Sequence, residues 1–374
     1  MLKRVLVAPL NWGLGHATRS IPVIQELLQQ GAEVVLASDG RAYQLLQQEF
    51  PNMLLEKMPA YNIQYPTHNM LWNMLLQLPK MLVSIWREHW HLQKLVEKHH
   101  ITHVISDSRF GCFSRKAKTT FITHQMNIRL PNLLGQGLVR LANRSFINCF
   151  DTCWIPDIAG DKNLAGALAH PALFSKAKYI GILSRMQAMQ APKKYDALVV
   201  LSGPEPQRTR LEEMILQQIA VLPGDFLVVQ GKPEAGENRG IWEWGNRRIG
   251  GWEDKEIEEL GNWGRVEVVS FLDGTNLNEA MAASEMVICR SGYSTIMDLA
   301  VLGKKAVFIP TPGQTEQEYL AERLLNQGFF YYQKQTDLNV AAALEKGKDF
   351  PGFSPPDYQH SSTMLQTAVH DFLN

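Results

Sequence analysis

The chain has 374 residues, too many for one typical domain and the right number for two, each able to bury a sizeable core. Lys plus Arg and Asp plus Glu both number 37, so no global field draws the protein to nucleic acid, and no nucleic-acid partner is expected. The four cysteines, Cys112, Cys149, Cys153 and Cys289, form no C-x-x-C pair and have apolar neighbours, which predicts reduced, buried thiols and a cytoplasmic location.

The start has a basic pair and an apolar run over 5–10, but the run is short and ends in Asn11 and Trp12, so it reads as a first strand and not as a signal peptide. No window reaches the length of an apolar spanning helix, so any role at a membrane would be peripheral. Gly13, Gly15, His16 and Arg19 follow the strand and lead into an amphipathic helix with Ile21, Ile24, Leu27 and Leu28 on one side, closed at Gly31. Residues 33–38 form the next strand. Two readings compete here, because Gly13, Gly15 and an acid at Asp39 also fit a dinucleotide-binding fingerprint and hence an NAD(P)-binding oxidoreductase. Thr18 stands where the third glycine would be, and His16 and Arg19 crowd the turn that a pyrophosphate must approach.

Residues 70–100 read as a long helical region, rich in Trp, Met and Leu and broken or kinked near Pro79. Such a stripe is a core or domain interface, or else an apolar wall for peripheral membrane contact through 70–90. The histidines from His89 to His103 have no carboxylate or cysteine at ligand spacing, so no metal is expected. Strands over 104–106 and 121–123 deliver Asp107, Ser108 and Arg109, then His124, Gln125, Met126 and Asn127, to the ends where open α/β sheets build sites.

Residues 175–194 look like a linker, which divides the chain into 1–186 and 187–356, with a last helix over 357–374. Past it, strand 197–201 runs into Ser202, Gly203 and Arg208 ahead of a helix; Pro204 and Pro206 remove N–H donors from that turn. The stretch 232–264, with Trp242, Trp244, Trp252 and Trp263, has no functional account. Strand 266–270 leads to Phe271 and Leu272.

The stretch 285–325 carries the most information. An apolar strand over 286–289 turns sharply at Arg290, Ser291 and Gly292 into a helix whose Ile296, Leu299 and Ala300 share a face, and Gly303 supplies a left-handed C-cap. Ser291, Ser294 and Thr295 crowd the helix start, where free N–H groups and the helix dipole seat a phosphate. Asp298 lies one turn after Ser294, placed to accept from both hydroxyls of a ribose. After the next strand, Gln314, Gln317 and Glu318 make a loop suited to sugar hydroxyls.

Arg-Ser-Gly, an acid six residues after the glycine, then Pro and Gln-x-x-Gln resembles the donor-sugar signature of the GT-B glycosyltransferases, family 28 in particular. The resemblance implies two doubly wound, Rossmann-like α/β domains facing across a cleft, the C-terminal one binding a nucleotide sugar and the last helix crossing back onto the first domain. It also implies that Gly13, Gly15, His16 and Arg19 form an acceptor-side glycine loop, with His16 as general base. Of the family's His-acid-Gln-Asn stretch only His124 and Asn127 carry over, which leaves the acceptor open. Ser202, Gly203 and Arg208 match a diphosphate loop, and Phe271 and Leu272 a base-binding corner. The implied reaction is metal-independent, inverting transfer of a hexose, N-acetylglucosamine by resemblance, from a UDP-sugar to an acceptor hydroxyl, with a lipid-linked acceptor among the options and no cofactor. A UDP-sugar 2-epimerase of the same fold and a non-enzymatic nucleotide-sugar-binding protein stay as alternatives.

Overall fold

A computed structural model of the protein describes residues 3–61, 70–128, 133–169, 174–232 and 265–374. Contacts divide it into two compact units, Met1–Arg185 with Ile296–Asp298 and Pro356–Asn374, and Met186–Thr295 with Leu299–Pro355.

The first unit is built on a seven-stranded parallel sheet. Its strands are β1 (Arg4–Pro9), β2 (Glu33–Ser38), β3 (Leu55–Lys57), β4 (His103–Asp107), β5 (Lys118–Ile122), β6 (Thr152–Ile155) and β7 (Ala177–Tyr179), in the order β3-β2-β1-β4-β5-β6-β7. Strands covered on both faces read as nearly continuous apolar runs, and Val5, Leu6, Val7 and Ala8 of β1 are fully buried. Helices α1 (Gly15–Gln29), α2 (Gly40–Glu49), α3 (Met70–Lys98) and α4 (Leu133–Ile147) make the connections. The helix expected to break or kink near Pro79 is one element with Pro79 inside it. Its inner face buries Leu92, Leu95 and Val96 against Leu6, Ala8, Val35 and Val104.

The second unit repeats the plan with β8 (Tyr195–Val200), α5 (Gln207–Ile219), β9 (Phe226–Val229), β10 (Val266–Val269), α6 (Gly274–Ala282), β11 (Ser284–Cys289), α7 (Tyr293–Leu302), β12 (Lys305–Phe308), α8 (Thr315–Asn326), β13 (Tyr331–Tyr332) and α9 (Val340–Gly347). Its parallel sheet runs β10-β9-β8-β11-β12-β13. One face packs Leu211, Ile215 and Ile219 of α5 with Val340 and Ala343 of α9, and the other packs Met281 of α6. Gly303 ends α7 in the left-handed conformation at φ +63°, its N–H bonded to the Leu299 carbonyl. The final helix, α10 (Ser361–Leu373), lies against α1 within the first unit, where Lys118 Nζ donates to the carbonyls of Asp371 and Phe372.

Each sheet therefore has its first two strands' connections running one way and the later ones the other. The order reverses between β1 and β4 and again between β8 and β11, and crevices at the carboxyl ends of such strand pairs are where doubly wound sheets bind ligands. Three of the cysteines are buried as expected, but Cys149, in the turn after α4, is exposed.

Candidate active site

At the reversal point of the first sheet, Pro9 of β1 stands in register with Asp107 of β4. The loop after β1 turns at Gly13, whose φ of +91° favours glycine, and puts His16 in the first turn of α1. His16 Nδ1 lies 2.7 Å from Asp107 Oδ1. Arg19, one turn on, donates Nε to Asp107 Oδ2 at 2.6 Å and Nη2 to Oδ1 at very short range. Its Nη1 donates to His124 Nδ1 at 2.8 Å. Four of the residues expected from the sequence thus form one cluster.

The hydrogen-bond chemistry fixes its protonation. Burial alone would raise the Asp107 pKa, but the Arg19 and His16 charges and their hydrogen bonds hold it well below the usual carboxylate range, so Asp107 only accepts. His16 Nδ1 must then carry the proton, which leaves the lone pair on Nε2. Arg19 Nη2 also lies 2.9 Å from Nδ1, because both groups donate to the same Asp107 oxygen. Burial lowers the His16 pKa, Asp107 opposes it and Arg19 lowers it further, with the net shift below 6.5. The ring is neutral at pH 7, oriented, and basic at Nε2. Ser108, next to Asp107, has φ +62°, a strained value for a non-glycine residue at the strand end that carries the dyad.

Asp39, the acid of the dinucleotide fingerprint, is committed elsewhere. The buried Arg109 donates Nη2 to its Oδ1, and Asn11 Nδ2 donates to its Oδ2 at 3.2 Å. Arg109 also bonds Glu88 Oε1 at 2.7 Å and the Pro9 carbonyl at 3.0 Å. Both Asp39 oxygens are thus held by the scaffold, which argues against a nicotinamide nucleotide here.

In the second unit, the turns after β8, β11 and β12 meet at the other reversal point. Gly292 is the N-cap of α7 with no side-chain cap, and a Cβ there would meet nothing within 4 Å. Ser294 and Thr295 are half-buried in the first turn. Asp298 accepts from Ser184 Oγ at 2.6 Å, and its pKa is pushed up to about 6 by burial, against the pull of Ser184 and Arg185. Glu318 Oε1 accepts from the Gly313 N–H at 2.9 Å, and Gln317 Oε1 from the Thr311 N–H at 2.8 Å.

Residues 248–364 match the model of the Glycosyltransferase family 28 C-terminal domain. The UDP-N-acetylglucosamine--N-acetylmuramyl-(pentapeptide) pyrophosphoryl-undecaprenol N-acetylglucosamine transferase of Haemophilus ducreyi is 23% identical over 91% of this chain and 87% of its own length. Its namesake from Haemophilus influenzae is 25% identical over 53% of this chain, and the match spans 58% of that relative's length. Among solved structures, the glycosyltransferase of kitacinnamycin superposes with a TM-score of 0.62 at 14% identity, covering 100% of this chain and 96% of its own. The chain has the GT-B fold.

Several residues expected to touch the donor have buried or scaffold partners in this structure. Arg290 is 1% exposed and donates to the carbonyls of Ile309, Pro310 and Gln207 and to Gln335 Oε1. Burial drops its pKa to about 10, and these bonds make it a clamp that holds three turns together, with Nε buried and without a partner among the described residues. Arg208 is engaged likewise: it is 2% exposed, with Nε on Glu205 Oε1 at 2.6 Å and Nη1 on Glu212 Oε2 at 2.5 Å. Ser291 Oγ donates to the Gln317 carbonyl at 2.8 Å and is fully buried. Arg290 and Ser291 bond buried backbone groups that distant turns supply, which sequence spacing does not reveal, whereas Arg208 is engaged by carboxylates three and four residues away. On the acceptor side, Gly15 opens α1, whereas Asn127 donates to the Ala167 carbonyl at 3.0 Å and is tied away from the His16 cluster. Phe271 and Leu272 follow β10 half-buried, and Asp273 caps α6 through the Asn276 N–H at 2.8 Å. The Trp-rich stretch lies outside the described residues apart from Lys232. Among the described residues, no group of three or more His, Cys, Asp or Glu is arranged to hold a metal.

Proposed function

We propose that this protein is a glycosyltransferase that moves a hexose, N-acetylglucosamine by its relatives' names, from a UDP-sugar to an acceptor hydroxyl with inversion at the anomeric carbon. The observation that carries the reading is the His16–Asp107 pair at 2.7 Å, because it supplies an oriented neutral imidazole suited to take a proton from an attacking hydroxyl. The hydroxyl attacks as the diphosphate departs, and the departing charge is met by the N–H groups at the start of α7 with Ser294 and Thr295. Asp298 binds the ribose diol through the carboxylate oxygen that Ser184 does not use.

Calorimetry tests the donor half of the reading. UDP and UDP-N-acetylglucosamine are expected to bind and NAD is not, and NAD binding with none by UDP would overturn the proposal. At pH 8, Asp298→Ala is expected to weaken UDP by about 1.5–3 kcal/mol, the loss of charge-assisted hydrogen bonds. The difference from the native protein should close towards pH 5, because the native carboxyl is itself protonated below its pKa of about 6. Equal affinities at pH 8 would remove Asp298 from the site. Release of UDP without any acceptor, accompanied by an isomerised sugar, would indicate the epimerase.

A lipid-linked acceptor fits the relatives' names and one feature of α3. Among the described residues no helix is long and apolar enough to cross a membrane. Leu82, Trp86 and Trp90 nevertheless recur every fourth residue on one face of α3, each more than half exposed, with the two indoles edge to face at 6.2 Å. The side chains of residues 70–76 and 78 lie outside the described set. An exposed aromatic stripe of this kind suits the interfacial zone of a bilayer. Co-sedimentation with phosphatidylglycerol-containing vesicles should fall at least several-fold in Trp86→Ser/Trp90→Ser. Undiminished sedimentation would assign the stripe to another role.

A further inference from the structure

Thr311, at the start of the turn after β12, belongs to none of the motifs in the sequence. It is 3% exposed. Its N–H is bonded to Gln317 Oε1 at 2.8 Å and its carbonyl accepts from the Gln314 N–H at 3.0 Å, so its backbone is fixed. Its hydroxyl, in contrast, is buried with no hydrogen-bond partner among the described residues. Buried hydroxyls are nearly always bonded, and one that is not calls for a missing partner.

The position of the hydroxyl indicates that partner. A Cβ built on Gly203 would lie 3.5 Å from Thr311 Oγ1 and within 4 Å of no other atom. Gly203 has φ +110° and opens the turn between β8 and α5, so at the reversal point of the second sheet the buried hydroxyl faces a residue that has no side chain. The same turn is short of donors, since Pro204 and Pro206 have no N–H and Arg208 is engaged by two carboxylates. Gln314 Oε1 is also buried without a partner, but it can only accept, so it requires a sugar hydroxyl or an N–H. A threonine hydroxyl can donate.

We infer that Thr311 is a ligand-binding residue of the donor site, its O–H donating to a diphosphate oxygen seated against Gly203. This rests on the nucleotide-sugar reading above. The hydroxyl supplies from β12 the donor that the proline-containing turn after β8 lacks.

The test uses Thr311→Val, which keeps the shape and removes the hydroxyl, and Thr311→Ser, which keeps the hydroxyl. Each is titrated with inorganic pyrophosphate, UDP and uridine. Thr311→Val should weaken pyrophosphate and UDP by about tenfold and leave uridine unchanged, while Thr311→Ser stays close to the native protein. Without ligand, Thr311→Val should melt no lower than the native protein, because a methyl replaces an unsatisfied hydroxyl. Native affinity for pyrophosphate and UDP in Thr311→Val overturns the inference. So does a clear fall in its ligand-free melting temperature with Thr311→Ser unaffected, which would reveal a structural partner, and so does a native protein that binds neither probe. If the native protein binds pyrophosphate but not UDP, and Thr311→Val binds it less well, this inference stands and the uridine-nucleotide reading falls.

Discussion

His16→Ala is expected to lower turnover by about 10²–10⁴-fold, the usual contribution of a positioned general base, with UDP affinity unchanged. The defect should be chemical. His16 keeps 18% of its side chain exposed, and Asp107 retains both of its bonds to Arg19 when the imidazole is gone, so little buried surface and no charge pairing is lost. Asp107→Asn should impair turnover by the opposite route. An amide can donate to Nδ1, which would shift the ring proton to Nε2 and remove the basic lone pair from the reacting side. His124 is joined to the cluster through Arg19 Nη1, whereas the base role rests on the bond between His16 and Asp107, so His124→Ala should affect turnover least of the three. The acid limb of the kcat/KM profile should fall below pH 6.5, because burial and Arg19 both disfavour the imidazolium. UDP release from UDP-N-acetylglucosamine gives the rates. Near-native turnover in His16→Ala would transfer the base role to another residue, and a collapsed melting temperature would make His16 structural.

Arg19→Ala should destabilise the first unit by about 3–5 kcal/mol, the range for removing one partner of a buried ion pair. Asp107 is fully buried and Arg19 is 2% exposed, so the carboxylate would be left in a desolvated site with only the imidazole beside it. Urea denaturation followed by tryptophan fluorescence measures the loss. Arg19→Leu combined with Asp107→Leu should cost far less than the sum of the two single changes, since neither charge is then stranded. Additive losses would mean that the two groups do not act as a pair. The pH dependence has a definite sign. The lowered Asp107 pKa contributes stability that is present above its ordinary value of 3.8 and is lost as pH falls through the lowered value. The lowered His16 pKa contributes stability that is present above 6.5 and is lost as pH falls through its own lowered value. Both act in the same direction, so acidification should weaken the first unit of the native protein more steeply than that of His16→Ala.

The sequence by itself determined the local units. Buried apolar runs marked β1, β4, β8 and β11, because strands covered on both faces have little room for polar side chains. The face shared by Ile296, Leu299 and Ala300, closed by Gly303, set the length of α7, since both features depend on residues within one or two turns. The open turn at Gly292 with Ser294 and Thr295 was legible for the same reason. Only the tertiary structure decided what the side chains at the strand ends do. His16 and Asp107 are 91 positions apart and meet because β4 lies beside β1, a pairing that no local pattern encodes. Asp39 and Arg290 had the right chemistry at the right spacing for ligand contacts, yet each is drawn onto buried partners supplied by distant elements; Arg208 is taken by its near neighbours Glu205 and Glu212. Thr311 carried no signal at all. Its hydroxyl stands out only because packing buries it beside Gly203, more than a hundred residues earlier in the chain, and leaves it unpaired. Strand order and burial decide which polar groups the scaffold satisfies.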